Sequence, residues 1–162
     1  MKRFLSFLLV ACLTLILLPQ NQVVNTAVAQ LGKPYHYTAT GPNSFDCSGF
    51  TYYVFLTSNN IKLQRTAQKQ GYDDTYIQVK RIRPGDLLSF NTNYKDADLS
   101  DHMGIAISDT LFIHCSSAAG QVKISSYKIG WYEDRLSWAR RIIYKREESI
   151  NGTYNVSTGF TR

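Results

Sequence analysis

Residues 46–58 read DCSGFTYYVFLTS, and the rest of the chain is best understood outward from them. Asp46 is a residue type whose side-chain oxygen caps helix starts. The apolar positions Phe50 and Val54, with Tyr53 beside them, recur at helical spacing. A helix from Cys47 to about Ser58 is therefore expected, ended by Asn59-Asn60. Its first residue is a cysteine. At that place free backbone N–H groups and the positive end of the helix dipole favour a thiolate, the form in which cysteine is a nucleophile. Gly49 leaves room for another chain segment, or a substrate, to come close to the helix start. A second reading stays open, because Cys47 precedes Phe50 by three residues and could be a small member of the buried face.

The histidines bear on that choice. Two of the three, His102 and His114, fall in a candidate hairpin whose strands run over Met103 to Ile107 and Leu111 to Cys115 around Ser108-Asp109-Thr110. A loop with an odd number of residues centred on Asp109 sets Met103 opposite Cys115 and His102 opposite Ser116. His114 is then a diagonal neighbour of His102 on the same face, within side-chain reach. A two-residue loop at Asp109-Thr110 separates the rings onto opposite faces. The odd loop permits a relay in which His102 takes the proton of Cys47 and His114 holds the base in its working tautomer; two satisfied structural histidines are the plainer alternative. Cys115 follows His114 in the same strand, so its side chain points to the other face and is expected to be buried and inert. A zinc site from these residues would need Cys115 to turn toward the others, and no closely spaced cysteine pair supports one. His36 lies in a loop and is read as exposed or substrate-facing.

Elsewhere the pattern is that of one α+β domain. Ala27, Val28 and Leu31 predict a short helix over Asn25 to Leu31, stopped by Gly32 and Pro34. Residues 35–45 are loop. A helical turn is expected around Thr66 to Gln70, followed by the apolar positions Tyr76, Val79 and Ile82. Pro84-Gly85-Asp86 is a turn before the buried strand Leu87-Leu88-Ser89-Phe90, and further strands are expected at Gln121 to Ser125 and Ala139 to Tyr144. Helices first and strands later suggest N-terminal helices packed on an antiparallel sheet.

The two ends differ from this domain. Lys2 and Arg3 precede an apolar run from Phe4 to Leu18, which at about 1.5 Å per residue is shorter than the roughly 20 residues that span a hydrocarbon core. Residues 1–22 are read as an export signal or a lipoprotein signal. Leu9-Val10-Ala11-Cys12 resembles a lipobox, in which Cys12 would carry a lipid anchor; the competing reading is one longer apolar region cut near Pro19 to Gln22. Cleavage after Ala27-Val28-Ala29 is disfavoured, because it would remove a helix of the domain. The domain is placed at 23–144 and a polar, poorly ordered tail at 145–162. Loss of Lys2 and Arg3 lowers the formal charge from +6 to +4, spread without a basic cluster, so no nucleic-acid footprint is indicated. A monomer in the periplasm or cell envelope is expected.

Five segments, in order, resemble the NlpC-type cell-wall cysteine peptidases, which are papain-like: Leu31-Gly32-Lys33-Pro34-Tyr35, Asp46-Cys47-Ser48-Gly49-Phe50, Arg83-Pro84-Gly85-Asp86-Leu87-Leu88, Asp101-His102-Met103-Gly104-Ile105 and Phe112-Ile113-His114. The resemblance runs from about Asn25 to Tyr144. It implies a papain-like core with Cys47 as nucleophile, His102 as base and His114 as third polar residue, no cofactor, and Tyr35, Asp46 and Ser48 holding substrate. The implied substrate is the peptidoglycan stem peptide, cut between γ-D-glutamate and a diamino acid such as meso-diaminopimelate. Departures fall on the substrate side: Thr38-Ala39-Thr40-Gly41 stands where relatives often carry Gly-Gly, and Leu63-Gln64-Arg65 replaces Leu-Pro-Arg, with Thr66 and Gln70 retained. An amidase or acyltransferase on the same thiol scaffold, and a non-catalytic wall-binding protein, are the other readings.

Overall fold

In the computed structural model, residues 22–93 and 100–142 are described. The expected export signal, up to residue 21, and the tail at 145–162 lie outside them. Three helices come first, α1 (Gln22–Val28), α2 (Cys47–Asn59) and α3 (Ala67–Gly71). The strands follow: β1 (Ile77–Gln78), β2 (Leu87–Phe90), β3 (His102–Ala106), β4 (Leu111–Ser116) and β5 (Gln121–Ser126), then a 3-10 helix (Gly130–Arg135) and β6 (Leu136–Arg141). They form a six-stranded sheet in the order β1-β6-β2-β3-β4-β5, every pairing antiparallel. This is the expected α+β architecture, with the helices on one face.

Alternation along the strands divides the interior in two. Leu87, Met103, Ile105, Ile113, Cys115 and Val122 turn to the helices and pack with Val23, Ala27, Phe50, Val54 and Phe55. Leu88, Phe90, Ala106, Phe112 and Ala139 turn to the other face, covered by Tyr127 and Tyr132. Fully burying one such apolar side chain stabilises the fold by about 1.5–3 kcal/mol. The β3–β4 register sets Ile105 opposite Ile113 and Ala106 opposite Phe112, which is the odd-loop register.

The helix α2 begins and ends where its capping residues place it. The Asp46 carboxylate accepts from the Gly49 amide at 2.6 Å, and Asn60 closes the helix in the left-handed conformation. Three expectations are corrected. The first helix lies earlier, at Gln22–Val28, because its buried residues are Val23 and Ala27, whereas Val28 and Leu31 are exposed; the chain from Ala29 to Leu31, with Gln30 buried, is a tighter turn before Gly32. The last strand also lies earlier, Leu136–Arg141, where Ala139 and Trp138 pair with Leu88 and Ser89; Tyr144 is outside the described residues. The 3-10 helix was not expected at all.

Candidate active site

The site is assembled where the start of α2 meets the start of β3. Cys47 is half-buried, and its sulfur lies 3.9 Å from the carbonyl oxygen of Asp101, the residue before His102. Burial, and secondly the Asp46 charge, push the thiol pKa up, against the backbone amides of Ser48, Met103 and Cys47 itself, which favour the anion. The helix start alone therefore does not make a resting thiolate, as sequence reasoning had expected; desolvation wins, and the thiol hydrogen-bonds a carbonyl.

His102 and His114 stand on the same face of the sheet. His102 Nε2 and His114 Nδ1 are 2.8 Å apart, and the rings meet edge to face with centroids at 4.9 Å. His114 Nε2 is 3.0 Å from Ser125 Oγ, which the β4–β5 register brings to that face beside it. Burial pushes His102 down to about 4, partly opposed by the charge of Asp101. His114, fully buried, is pushed further down, first by burial and then by the charges of His102 and Lys123. Tyr132, from the unexpected 3-10 helix, stacks on His102 at 5.9 Å and meets His114 edge-on at 5.1 Å. Burial first, and the Cys47 group second, raise the Tyr132 pKa above its ordinary value, with Arg135 opposing them.

Two clefts flank the Asp101-His102-Met103 segment. The first, of about 430 Å³, is lined by Cys47, Tyr35, Asp46, Ser48, Arg65 and Asp101, among others. Asp46 is tightly engaged there. Its carboxylate accepts from Gly49 N, from Ser48 Oγ at 3.2 Å, and from both terminal nitrogens of Arg65 at 3.2 and 2.6 Å. Asp46 and Ser48 are nearly buried, and what they hold toward solvent is the Arg65 guanidinium, 39% exposed. Gly49 is required by the fold, since a side chain there would strike the Ala39 carbonyl at 2.0 Å. The second cleft, of about 490 Å³, is lined by His102, Lys123, Ser125, Trp131 and Tyr132, among others.

Cys115 is where the alternation put it, on the helix face, donating to the Phe45 carbonyl at 3.2 Å with its thiol pushed up to about 12 by burial. His36 is exposed. Among the described residues no three or more of His, Cys, Asp and Glu gather to hold a metal ion. No helix among them is long and apolar enough to cross a membrane.

The sequence profile of the NlpC/P60 family matches residues 32–141, which spans the helix start, both histidines and the whole sheet. The chain belongs to the NlpC/P60 family. Among its NlpC/P60 relatives it is 35% identical over 124 residues to the probable endopeptidase YafL of Escherichia coli, covering 75% of this chain and 48% of that protein. It is 28% identical over 123 residues to the murein DD-endopeptidase MepH of the same organism, covering 74% and 45%. The chain thus spans slightly under half the length of these two relatives. The crystal structure of the NlpC/p60 domain of the peptidoglycan hydrolase SagA superposes with a TM-score of 0.63 at 28% identity, covering 75% of this chain and 97% of that domain.

Four side chains of the site were not singled out from sequence for the places they take. Arg65 was noted only as part of a departure from the family pattern, although a basic residue kept near a buried Asp is a usable signal. Tyr132, Lys123 and Ser125 depend on the β4–β5 register and on the 3-10 helix, and no local pattern announces them.

Proposed function

We propose that this NlpC/P60 chain is a cysteine peptidase that hydrolyses peptidoglycan stem peptides, with Cys47 as nucleophile, His102 as base and His114 as the residue that orients the base. The observation that carries this reading is the 2.8 Å contact between the imidazoles, together with a thiol that opens a helix and reaches the carbonyl of the residue before His102. The hydrogen-bond chain has one productive order. If His102 is to take a proton at Nδ1, its own proton sits on Nε2 and is donated to His114 Nδ1; His114 is then protonated on Nε2 and donates to Ser125 Oγ.

In the reaction the Cys47 proton passes to His102 as the sulfur attacks the scissile carbonyl. The bond to the leaving nitrogen breaks, that nitrogen takes the proton from His102, and a thioester remains. Water, deprotonated by His102, attacks the thioester and returns the thiol and a free carboxylic acid. The amides of Gly49 and Phe50 are taken by Asp46, so those of Cys47 and Ser48 are the donors left at the helix start for the developing oxyanion. Tyr35, Asp46 and Ser48 form the substrate-holding wall, through the Arg65 guanidinium that Asp46 fixes.

The proposed bond is γ-D-glutamyl to a diamino acid, meso-diaminopimelate in the first instance. The name of MepH specifies a DD bond instead, so fragment masses from digested wall decide between the two. They would also expose an amidase or acyltransferase. The protein is further proposed to be a monomer that is exported to the periplasm or envelope by residues 1–22, where Cys12 would carry any lipid. The deciding experiment is Cys47→Ala in the full chain, which should lower peptide release from purified peptidoglycan by about 10⁴-fold or more. Release at the wild-type rate would remove the enzymatic reading and leave a wall-binding protein.

A further inference from the structure

We propose that the second cleft receives the leaving-group residue of the substrate, and that the Lys123 ammonium there selects a diamino acid whose side chain ends in a carboxylate. The inference rests on the catalytic reading above and adds to it a subsite and the residue that reads the substrate there.

The direction of the substrate follows from the placement of the two reacting groups. The thiol that keeps the acyl part lines the first cleft, and the imidazole that hands a proton to the departing nitrogen lines the second. A peptide laid across the Asp101-His102-Met103 segment therefore leaves its acyl half beside Arg65 and its amine half in the second cleft.

That second cleft has a distinct chemistry. The β4–β5 register sets Lys123 directly opposite His114, on the face that carries both imidazoles, with Ser125 two residues further along the same face. Lys123 is exposed, its ammonium makes no ion pair or hydrogen bond among the described residues, and it is the one lysine or arginine among the described residues lining the cleft. None of those lining residues is acidic. Hydroxyls of Ser116, Ser117 and Ser125 flank it, and Trp131 and Tyr132 form an apolar wall against which an aliphatic stem can lie. A cation without a counter-charge among the described residues, beside hydroxyl groups and facing an aromatic wall, matches an aliphatic side chain tipped by a carboxylate. A side chain tipped by an ammonium alone would meet repulsion.

The test uses the full-length protein and three synthetic peptides of the form L-Ala-γ-D-Glu-X-D-Ala, with X as meso-diaminopimelate, as its side-chain amide, or as L-lysine. The α-carboxyl of X is in peptide linkage in all three, so they differ at the side-chain end. The quantity read is the ratio of kcat/KM on the diaminopimelate peptide to that on the L-lysine peptide, in which any effect of Lys123 on His114 cancels. K123A should lower this ratio about fivefold, as expected for a partly exposed charge pair, and K123E should invert the preference. In the wild type the amidated peptide should behave like the L-lysine one. An unchanged ratio in K123A and K123E would overturn the proposal. Calorimetric binding to C47A separates this outcome from failure of the catalytic reading. If the wild type cleaves none of the peptides but C47A binds the diaminopimelate peptide more tightly than the L-lysine one, and C47A/K123A does not, the catalytic reading falls and the subsite stands. Equal affinities in C47A would overturn the subsite itself.

Discussion

At Cys47 and His102 burial acts on both partners in the same chemical sense. It raises the thiol and lowers the imidazole, so the resting pair is neutral rather than a thiolate facing an imidazolium. In the proposed reaction a proton then moves only when a substrate carbonyl is in place to take the developing charge. The pH dependence follows with a definite sign. With His102 as the proposed base, which works when neutral, protonation on the acid side stops it, and a pKa depressed from 6.5 to about 4 moves that limb downward. The acid limb of kcat/KM on a stem peptide should therefore lie below 6.5, toward 4, which a pH–rate profile of the wild type measures; a limb at 6.5 or above would contradict the neutral pair. The same burial opposes ionisation of His114, whose ring is enclosed by Phe112 and Tyr132.

At the level of elements, α2 depends on a single residue at its start. Asp46 caps the helix through Gly49 and also pairs with Arg65. Asp46→Ala should cost about 1–2 kcal/mol, since a cap is lost and a guanidinium loses its partner, while Asp46→Asn keeps the cap and should cost less. Urea unfolding of the two variants checks the order; equal losses would mean that the cap contributes little. Such local devices are what a sequence displays. The cap and the spacing of Phe50 and Val54 are each set within a few residues, and the helix was legible from them; the hairpin was legible too, but its sequence allowed both an odd and a two-residue loop, and the observed register is what brings the two imidazoles together. The 3-10 helix was not legible, because Gly130-Trp131-Tyr132-Glu133-Asp134-Arg135 has no apolar period; its position comes from Tyr132 docking on Phe90 and Phe112. The first helix was misplaced for a related reason. Gln30, in the turn just past the helix, is buried with its side-chain amide donating to the Thr26 carbonyl, and hydropathy alone does not reveal a buried polar residue that is satisfied locally.

Across the whole molecule, the Arg83-Pro84-Gly85-Asp86 segment is a structural tie. Asp86, 2% exposed, accepts from the Arg83 amide at 2.7 Å and from Arg141 at 2.8 Å through both of its oxygens, linking the start of β2 to the end of β6. Removing the buried carboxylate leaves the Arg83 amide without its partner and costs Arg141, itself 31% exposed, its bidentate contact, so Asp86→Ala should lower unfolding stability by about 1–3 kcal/mol. Chemical denaturation at neutral pH reads this directly, and a loss within 0.5 kcal/mol (about the scatter of surface substitutions) would show the tie to be dispensable. The sheet that Asp86 helps to close has an interior on each side. Cys47 arrives from the helical layer, whereas His102 and His114 belong to the opposite one with its aromatic cover. A partly assembled chain with only one layer in place holds either the sulfur or the rings, so the proposed constellation exists only once both layers have packed on the sheet.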